Sequence, residues 1–315
     1  MKIDKYTCYQ RAFKIRLIEE NISAIYSSDL IKSPVHLSIG QELISVVLSE
    51  NLEKNDIVFG TYRSHAIYLA LGGSVKKFYA ELFGKSTGCN KGLGGSMHLS
   101  SFENRLMGAS AIVASTIPQS VGYSYSFRDK HKDIVVCFFG EGSTSEGNFH
   151  ESLNMASVSK TPILFVCENN SLAIDTPAVD ICSQEETYKY AKSHNIKSFI
   201  TDDSKSIEEL ASSIKEAVEY VRNKRVPGYL EIKTRRLSQH VGPLLVNTYS
   251  NRDDIKSIKN EVIEPDLIEI WYESLSEDQK QKIQKDIKTE INSAIEFANK
   301  SNPLTYKESL TYVYQ

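Results

Sequence analysis

An apolar run, Ile134-Val-Val-Cys-Phe-Phe, leads straight into Gly140-Glu141-Gly142, and a second, Pro162–Glu168, leads into Asn169-Asn170. Glycines flanking the acidic residue permit a tight turn with the backbone close to a ligand. A carboxylate at the carboxyl end of a central strand lies in the usual ligand crevice of an open α/β sheet. A helical stretch from Ser145 separates the two runs, and Asn170 follows Glu141 by 29 positions. One βαβ unit therefore brings a carboxylate and an amide oxygen to adjacent strand ends. Such a hard-oxygen pair suits Mg²⁺, which takes few protein ligands and completes its shell with phosphate and water. A glycine turn backed by a helix N-terminus also favours a phosphate group. By itself Gly-Glu-Gly is a common strand-to-helix turn; the spacing is what sharpens it.

The elements that must position these residues read as follows. Helical periodicity runs through the first thirty residues (Tyr9, Phe13, Leu17, Ile18, Ile22, Ile25) and again over Gln41–Leu52. Short apolar runs rich in β-branched and aromatic residues predict strands at Ile57–Gly60, Ile134–Gly140, Ile163–Glu168, Ser198–Thr201 and Gly228–Thr234. Helical patterns at Ser74–Leu82, Ile117–Phe127, Gly147–Lys160 and Ser206–Asn223 alternate with them. That alternation implies an α/β fold with a mostly parallel sheet covered on both faces. From about Asp253 to Ala298 the chain is charged, with one apolar stripe (Leu275, Ile283, Ile287, Ile291, Ile295), the pattern of a solvated helix packed by one face. Residues 84–116, rich in Gly, Ser and Asn, and residues 235–252 after the last strand read as long loops, where α/β sheets carry ligand sites.

The 315 residues, 41% hydrophobic and 24% charged, suffice for a sizeable core. A net charge of −3 gives no reason to expect nucleic acid or an anionic membrane as partner. No apolar run of 18 residues predicts a membrane span, and the N-terminus has no signal-peptide core. Five scattered cysteines without a CxxC pair fit free thiols in a reducing cytoplasm.

Several ordered blocks carry a resemblance. They are His36-Leu-Ser-Ile-Gly-Gln-Glu42, Thr61-Tyr-Arg-Ser-His65, Glu81-Leu-Phe-Gly-Lys85, Lys91-Gly-Leu-Gly-Gly-Ser-Met-His98, Phe165-Val-Cys-Glu-Asn-Asn170 and Ala173-Ile-Asp-Thr-Pro177. With the Gly-Glu-Gly to Asn-Asn spacing, the chain resembles the α subunit of the thiamine diphosphate-dependent 2-oxo acid dehydrogenases of the pyruvate, acetoin and branched-chain type. The resemblance covers nearly the whole chain. It implies a thiamine diphosphate-binding fold over residues 1–315, with helical N- and C-terminal extensions. It implies Mg²⁺ held by Glu141, Asn170 and the carbonyl of Leu172, and a diphosphate lying along Gly142 and Ser143 and touched by Tyr62 and Arg63. A guanidinium is a planar cationic fork suited to phosphate oxygens. Ala111 and Val113 match positions at the aminopyrimidine end. Three histidines match catalytic positions: His240 lining the substrate channel, and His65 and His36 near substrate and cofactor. His98, His131, His150 and His194 read as structural or surface residues.

The implied reaction decarboxylates a 2-oxo acid, or cleaves acetoin, and passes the acyl unit to a lipoyl group on an acyltransferase. In the family the glutamate that activates the pyrimidine ring lies on a β chain. The chain alone is therefore expected to be inactive, working in an assembly of two α and two β chains. Departures cluster at the site. Glu141 stands where the family has aspartate, Leu172 replaces a tyrosine, Ser238-Gln-His240 replaces His-Gly-His, and Ser110-Ala-Ile-Val replaces Asn-Gly-Ile-Val. One extra methylene moves a carboxylate by roughly 1.5 Å, and Mg²⁺ tolerates little deviation from about 2.1 Å. Two alternatives follow. One is a carboligase that transfers a two-carbon acyl unit to an aldehyde or ketosugar. The other is a non-catalytic paralogue with a degraded metal site.

Overall fold

The computed structural model describes residues 4–128, 132–244 and 266–312. Its centre is a sheet of six parallel strands: β1 (Ile57–Phe59), β2 (Leu106–Gly108), β3 (Val135–Gly140), β4 (Ile163–Asn169), β7 (Lys197–Asp202) and β8 (Gly228–Lys233). Their spatial order is β2-β1-β3-β4-β8-β7. A separate antiparallel hairpin pairs β5 (Leu172–Ala173) with β6 (Thr176–Pro177).

The central strands are apolar throughout because both faces are covered. Alternate residues of a strand point to opposite faces. Val136, Phe138, Leu164, Val166, Leu230 and Ile232 join one core cluster; Val135, Cys137, Phe139, Ile163, Phe165 and Tyr229 join the other. The first face is covered by helices α1 (Lys5–Ile25), α2 (Glu42–Glu50), α3 (His65–Ala70), α4 (Val75–Leu82) and α8 (Ile207–Lys224), and by the helix Glu277–Lys300. Helices α5 (Thr116–Tyr125), α6 (Gly147–Ser159) and α7 (Tyr188–Ser193) cover the second. The expected α/β architecture with helical extensions is thus present.

Local chemistry sets the boundaries. Asp4 caps α1 by accepting from the Tyr6 amide, and Ser206 caps α8 by accepting from that of Glu209. A reciprocal capping box, Ser276 with Gln279, starts the last long helix. The expected C-terminal helix is interrupted: Leu267–Glu273 and Glu277–Lys300 are separate. Residues 253–265 of that expectation, and 245–252 of the expected loop, lie outside the described residues.

The glycine-rich stretch 84–116 is not wholly loop, since it contains β2. Its order comes from one buried carboxylate. Glu81, on α4 and wholly buried, accepts from the amides of Asn90 (2.7 Å), Gly92 (2.8 Å), Gly94 (2.8 Å) and Gly95 (3.0 Å). Gly92 has a φ of +77° and lies so close to Gly84 and Lys85 that a Cβ would sit 2.6 Å from backbone. Replacing Glu81 with Ala would leave these amides without acceptors. It is expected to lower unfolding stability by roughly 3 kcal/mol or more. Denaturant unfolding of Glu81→Ala beside the parent checks this, and an unchanged midpoint would count against the carboxylate clamp.

Candidate functional site

Chain progress across the sheet reverses between β1 and β3, and ligand crevices of open α/β sheets form at such switch points, outside the carboxyl ends of the strands. A cavity of ≈ 510 Å³ occupies that place. It is lined by segments leaving five strands: Thr61–Arg63 after β1, Ser110 and Ile112–Ala114 after β2, Glu141–Ser143 after β3, Asn170 and Leu172–Ile174 after β4, and Arg236 with His240 after β8.

Pairing of Gly140 with Glu168 brings the ends of β3 and β4 level. Glu141 is 1% exposed, and its Oε2 accepts from the Asn170 amide at 3.2 Å. Its Oε1 is buried without a hydrogen-bond partner. Asn170 Oδ1 accepts from the Leu172 amide at 3.2 Å, across Ser171 with its left-handed φ of +62°. A buried carboxylate oxygen with no donor is costly unless a cation meets it. Burial raises the Glu141 pKa, against the pull of backbone amides and Arg236. Among the described residues no three His, Cys, Asp or Glu side chains converge on a metal position. A cation here would depend on amide, carbonyl and ligand oxygens beside the one carboxylate, the donor set of Mg²⁺ with a phosphate. The residues present fit that group. A Cβ on Gly142 would lie 2.8 Å from the Ala173 Cβ, so the turn packs tightly on the β5–β6 hairpin.

Two arginines supply positive charge. Arg63 donates to the Leu37 carbonyl (2.6 Å) and the His240 carbonyl (3.2 Å). Arg236, only 5% exposed, donates to the carbonyls of Ser238 (3.0 Å) and Ile174 (2.7 Å) and contacts Asp175 at 3.3 Å. Burial, then the charge of Arg236, lowers the Arg63 pKa to about 10. Burial also raises Glu168, on the same wall, to about 8.

Of the residues expected at the site, Tyr62, Arg63, Val113, Glu141, Gly142, Ser143, Asn170, Leu172 and His240 line this one cavity. Three do not. His36 stands behind the wall, its ring 4.5 Å from that of Tyr62 and 5.0 Å from that of His240. Ala111 is a backbone support whose amide donates to His98 Nε2 at 3.3 Å, which gives His98 a structural part. His65 is wholly buried, with Nδ1 at 2.9 Å from Glu19 Oε2 and Nε2 at 2.7 Å from Ser96 Oγ. Both ring nitrogens are engaged away from the cavity, so the expectation that His65 acts on substrate is replaced by a bracing role between α1 and α3. His150 packs against Phe149 and Tyr190, and His131 lies outside the described residues. Sequence reasoning missed Gln41, Arg236 and Glu168. Arg236 had a signal, since it follows the same strand end as His240.

The family described as dehydrogenase E1 component matches residues 10–307. The α subunit of the pyruvate dehydrogenase E1 component from Rickettsia bellii is 32% identical over 322 residues, covering 97% of this chain and 95% of the relative. The chloroplastic α-3 subunit of the same component from Oryza sativa is 33% identical, covering 94% and 72%. The α subunit of acetoin:2,6-dichlorophenolindophenol oxidoreductase from Bacillus subtilis is 30% identical, covering 97% and 92%. The chain belongs to the dehydrogenase E1 component family.

The cavity's electrostatics have a consequence for the two stacked histidines. Burial, followed by the charge of Arg63, lowers both His36 and His240 to about 3. An unfolded chain would protonate them near 6.5. Between about 3 and 6.5 the unfolded state therefore binds more protons, and their contribution to stability is lost as pH falls through that range. Glu168, held protonated up to about 8, acts in the opposite sense above its usual value. A comparison with a His36→Gln, His240→Gln double variant isolates the histidines. The variant is expected to gain on the parent by more than about 1 kcal/mol between pH 7 and pH 5. Parallel stability curves across that range would contradict neutral burial of the pair.

Proposed function

We propose that this chain is the α half of a thiamine diphosphate-dependent E1 enzyme that decarboxylates a 2-oxo acid, pyruvate or a close analogue, or cleaves acetoin, and passes the acyl unit to a lipoyl acceptor. The observation that carries the reading is the unpartnered Oε1 of Glu141, beside Asn170 at the head of a cavity flanked by Arg63 and Arg236. When bound, the cofactor supplies the carbon centre that takes up the keto carbon and holds the electron pair left by decarboxylation.

Everything else falls to the protein. Glu141, Asn170 and the Leu172 carbonyl would hold Mg²⁺. Tyr62 and Arg63 would meet the diphosphate, with Gly142 and Ser143 along it. Arg63 is held by backbone carbonyls rather than by a carboxylate, so its charge stays available to an anion. Ile112 and Val113 form an apolar wall for the aminopyrimidine end. His240 receives Arg63 Nη2 at Nδ1 (3.4 Å), which leaves the ring proton on Nε2. His240 thus serves as a neutral hydrogen-bond donor at the substrate until an anion offsets the arginines and raises its pKa.

The names of the relatives, subunits of E1 components, support a β chain as partner and a lipoyl acyltransferase downstream. Five unpaired thiols support a reducing cytoplasm. Among the described residues no helix is long and apolar enough to cross a membrane.

Calorimetry on the chain assembled with its β partner, with thiamine diphosphate and Mg²⁺, tests the reading. So does reduction of an artificial electron acceptor with pyruvate or acetoin. Metal-dependent binding is expected, with Glu141→Ala weakening it at least about tenfold and the isolated α chain inactive. A complex that binds no cofactor would sink the proposal. Turnover only when an aldehyde acceptor is supplied would move it to carboligation.

A further inference from the structure

Gln41 is the residue of the cavity wall whose own chemistry nothing in the fold uses. It is 2% exposed, its Oε1 is buried without a partner, and neither end of its carboxamide bonds to any described residue. It precedes α2 in the capping position yet makes no side-chain cap, a place glutamine rarely serves. A buried carboxamide left without partners costs about 1–3 kcal/mol. Such a group in a binding cavity points to a ligand that completes it.

The surroundings say which kind. Gln41 shares the wall with Tyr62, Arg63 and Arg236. The adjacent carboxylate, Glu42, is wholly buried and neutralised by Arg16, whose Nη2 lies at 3.0 Å, while Gly40 N donates to Glu42 Oε2 at 2.9 Å. Gly40 cannot move aside: its Cβ would lie 2.4 Å from the Arg235 carbonyl. Gln41 is thus an uncharged donor held on a rigid turn among cations, with no free carboxylate beside it.

We propose that Gln41 donates a hydrogen bond to an anionic oxygen of the bound ligand set, the distal phosphate of the cofactor or the carboxylate of the 2-oxo acid. This rests on the function proposed above and adds a contact to that site. Gln41→Leu keeps the volume and removes the amide. Measured by calorimetry on the assembled α–β complex, it should weaken thiamine diphosphate about tenfold and leave thiamine monophosphate unchanged if the contact is the distal phosphate. A rise of similar size in the KM for pyruvate, with cofactor affinity intact, would assign the contact to the substrate carboxylate. Affinities and KM all within twofold of the parent would overturn the proposal. Should Gln41→Leu fail to assemble, Gln41→Glu carries the test. Its carboxylate should repel inorganic pyrophosphate and weaken it more than tenfold, and unaltered pyrophosphate affinity would overturn the proposal equally. A parent complex that binds no thiamine diphosphate would instead refute the underlying function, and that is read before any variant.

Discussion

The register between β3 and β4 governs the distance between the two residues on which a cation at this site depends. With Gly140 level with Glu168, the chain leaves both strands at the same height. Glu141 then meets the Asn170 amide directly. A parallel pair slipped by one residue would turn Glu141 to the other face of the sheet and break both core clusters at once. The two cores therefore enforce the site. Val135, Cys137 and Phe139 are locked on one side, Val136 and Phe138 on the other. No residue of the cavity has to pay for this alignment, because the apolar strands already demand it.

Buried charge is treated in two different ways in this molecule. Away from the cavity it is neutralised: Arg16 meets Glu42 and Asp266, and Arg222 meets Asp56 at 2.6 Å. Such pairs fix α1, α2 and α8 against their neighbours but have little left to offer a ligand. Around the cavity, Arg63 is held by carbonyls and Arg236 largely so. Carbonyls orient a guanidinium without cancelling its charge. The neutral state of His36 and His240 follows from this unspent positive field as well as from burial. A multiply charged anion is the natural complement.

Much of the fold was legible because it follows from periodicity. The strands at Val135–Gly140, Ile163–Asn169 and Gly228–Lys233 announce themselves as continuous apolar runs, since they are buried on both faces. β2 did not, being three residues inside a glycine-rich stretch. Helix α3 was hidden by the His65 and Tyr68 side chains, polar types that are buried here. Within the site, Glu141 and Asn170 were readable because one βαβ unit sets their spacing. Gln41, Arg236 and Glu168 come together from separate loops, and no spacing in the chain records that. His65 misled for a related reason. Its residue type suggested chemistry, while Glu19 and Ser96, distant in sequence, had already taken both nitrogens.

Glutamate in place of the family's aspartate need not push a cation outward. An aspartate would reach the metal position from a shorter stem. Glu141 is long enough for Oε2 to turn back onto the Asn170 amide, so part of the added length is taken up against β4. One oxygen then anchors the side chain, and Oε1 alone remains for the cation. Single-oxygen ligation suits a small octahedral ion better than a bidentate grip. The amide of Asn170 and its own side-chain oxygen thereby work in concert: the first sets the carboxylate, the second stands beside it. Anchoring in this way restricts the added rotatable bond, so the longer side chain can still present a preorganised ligand.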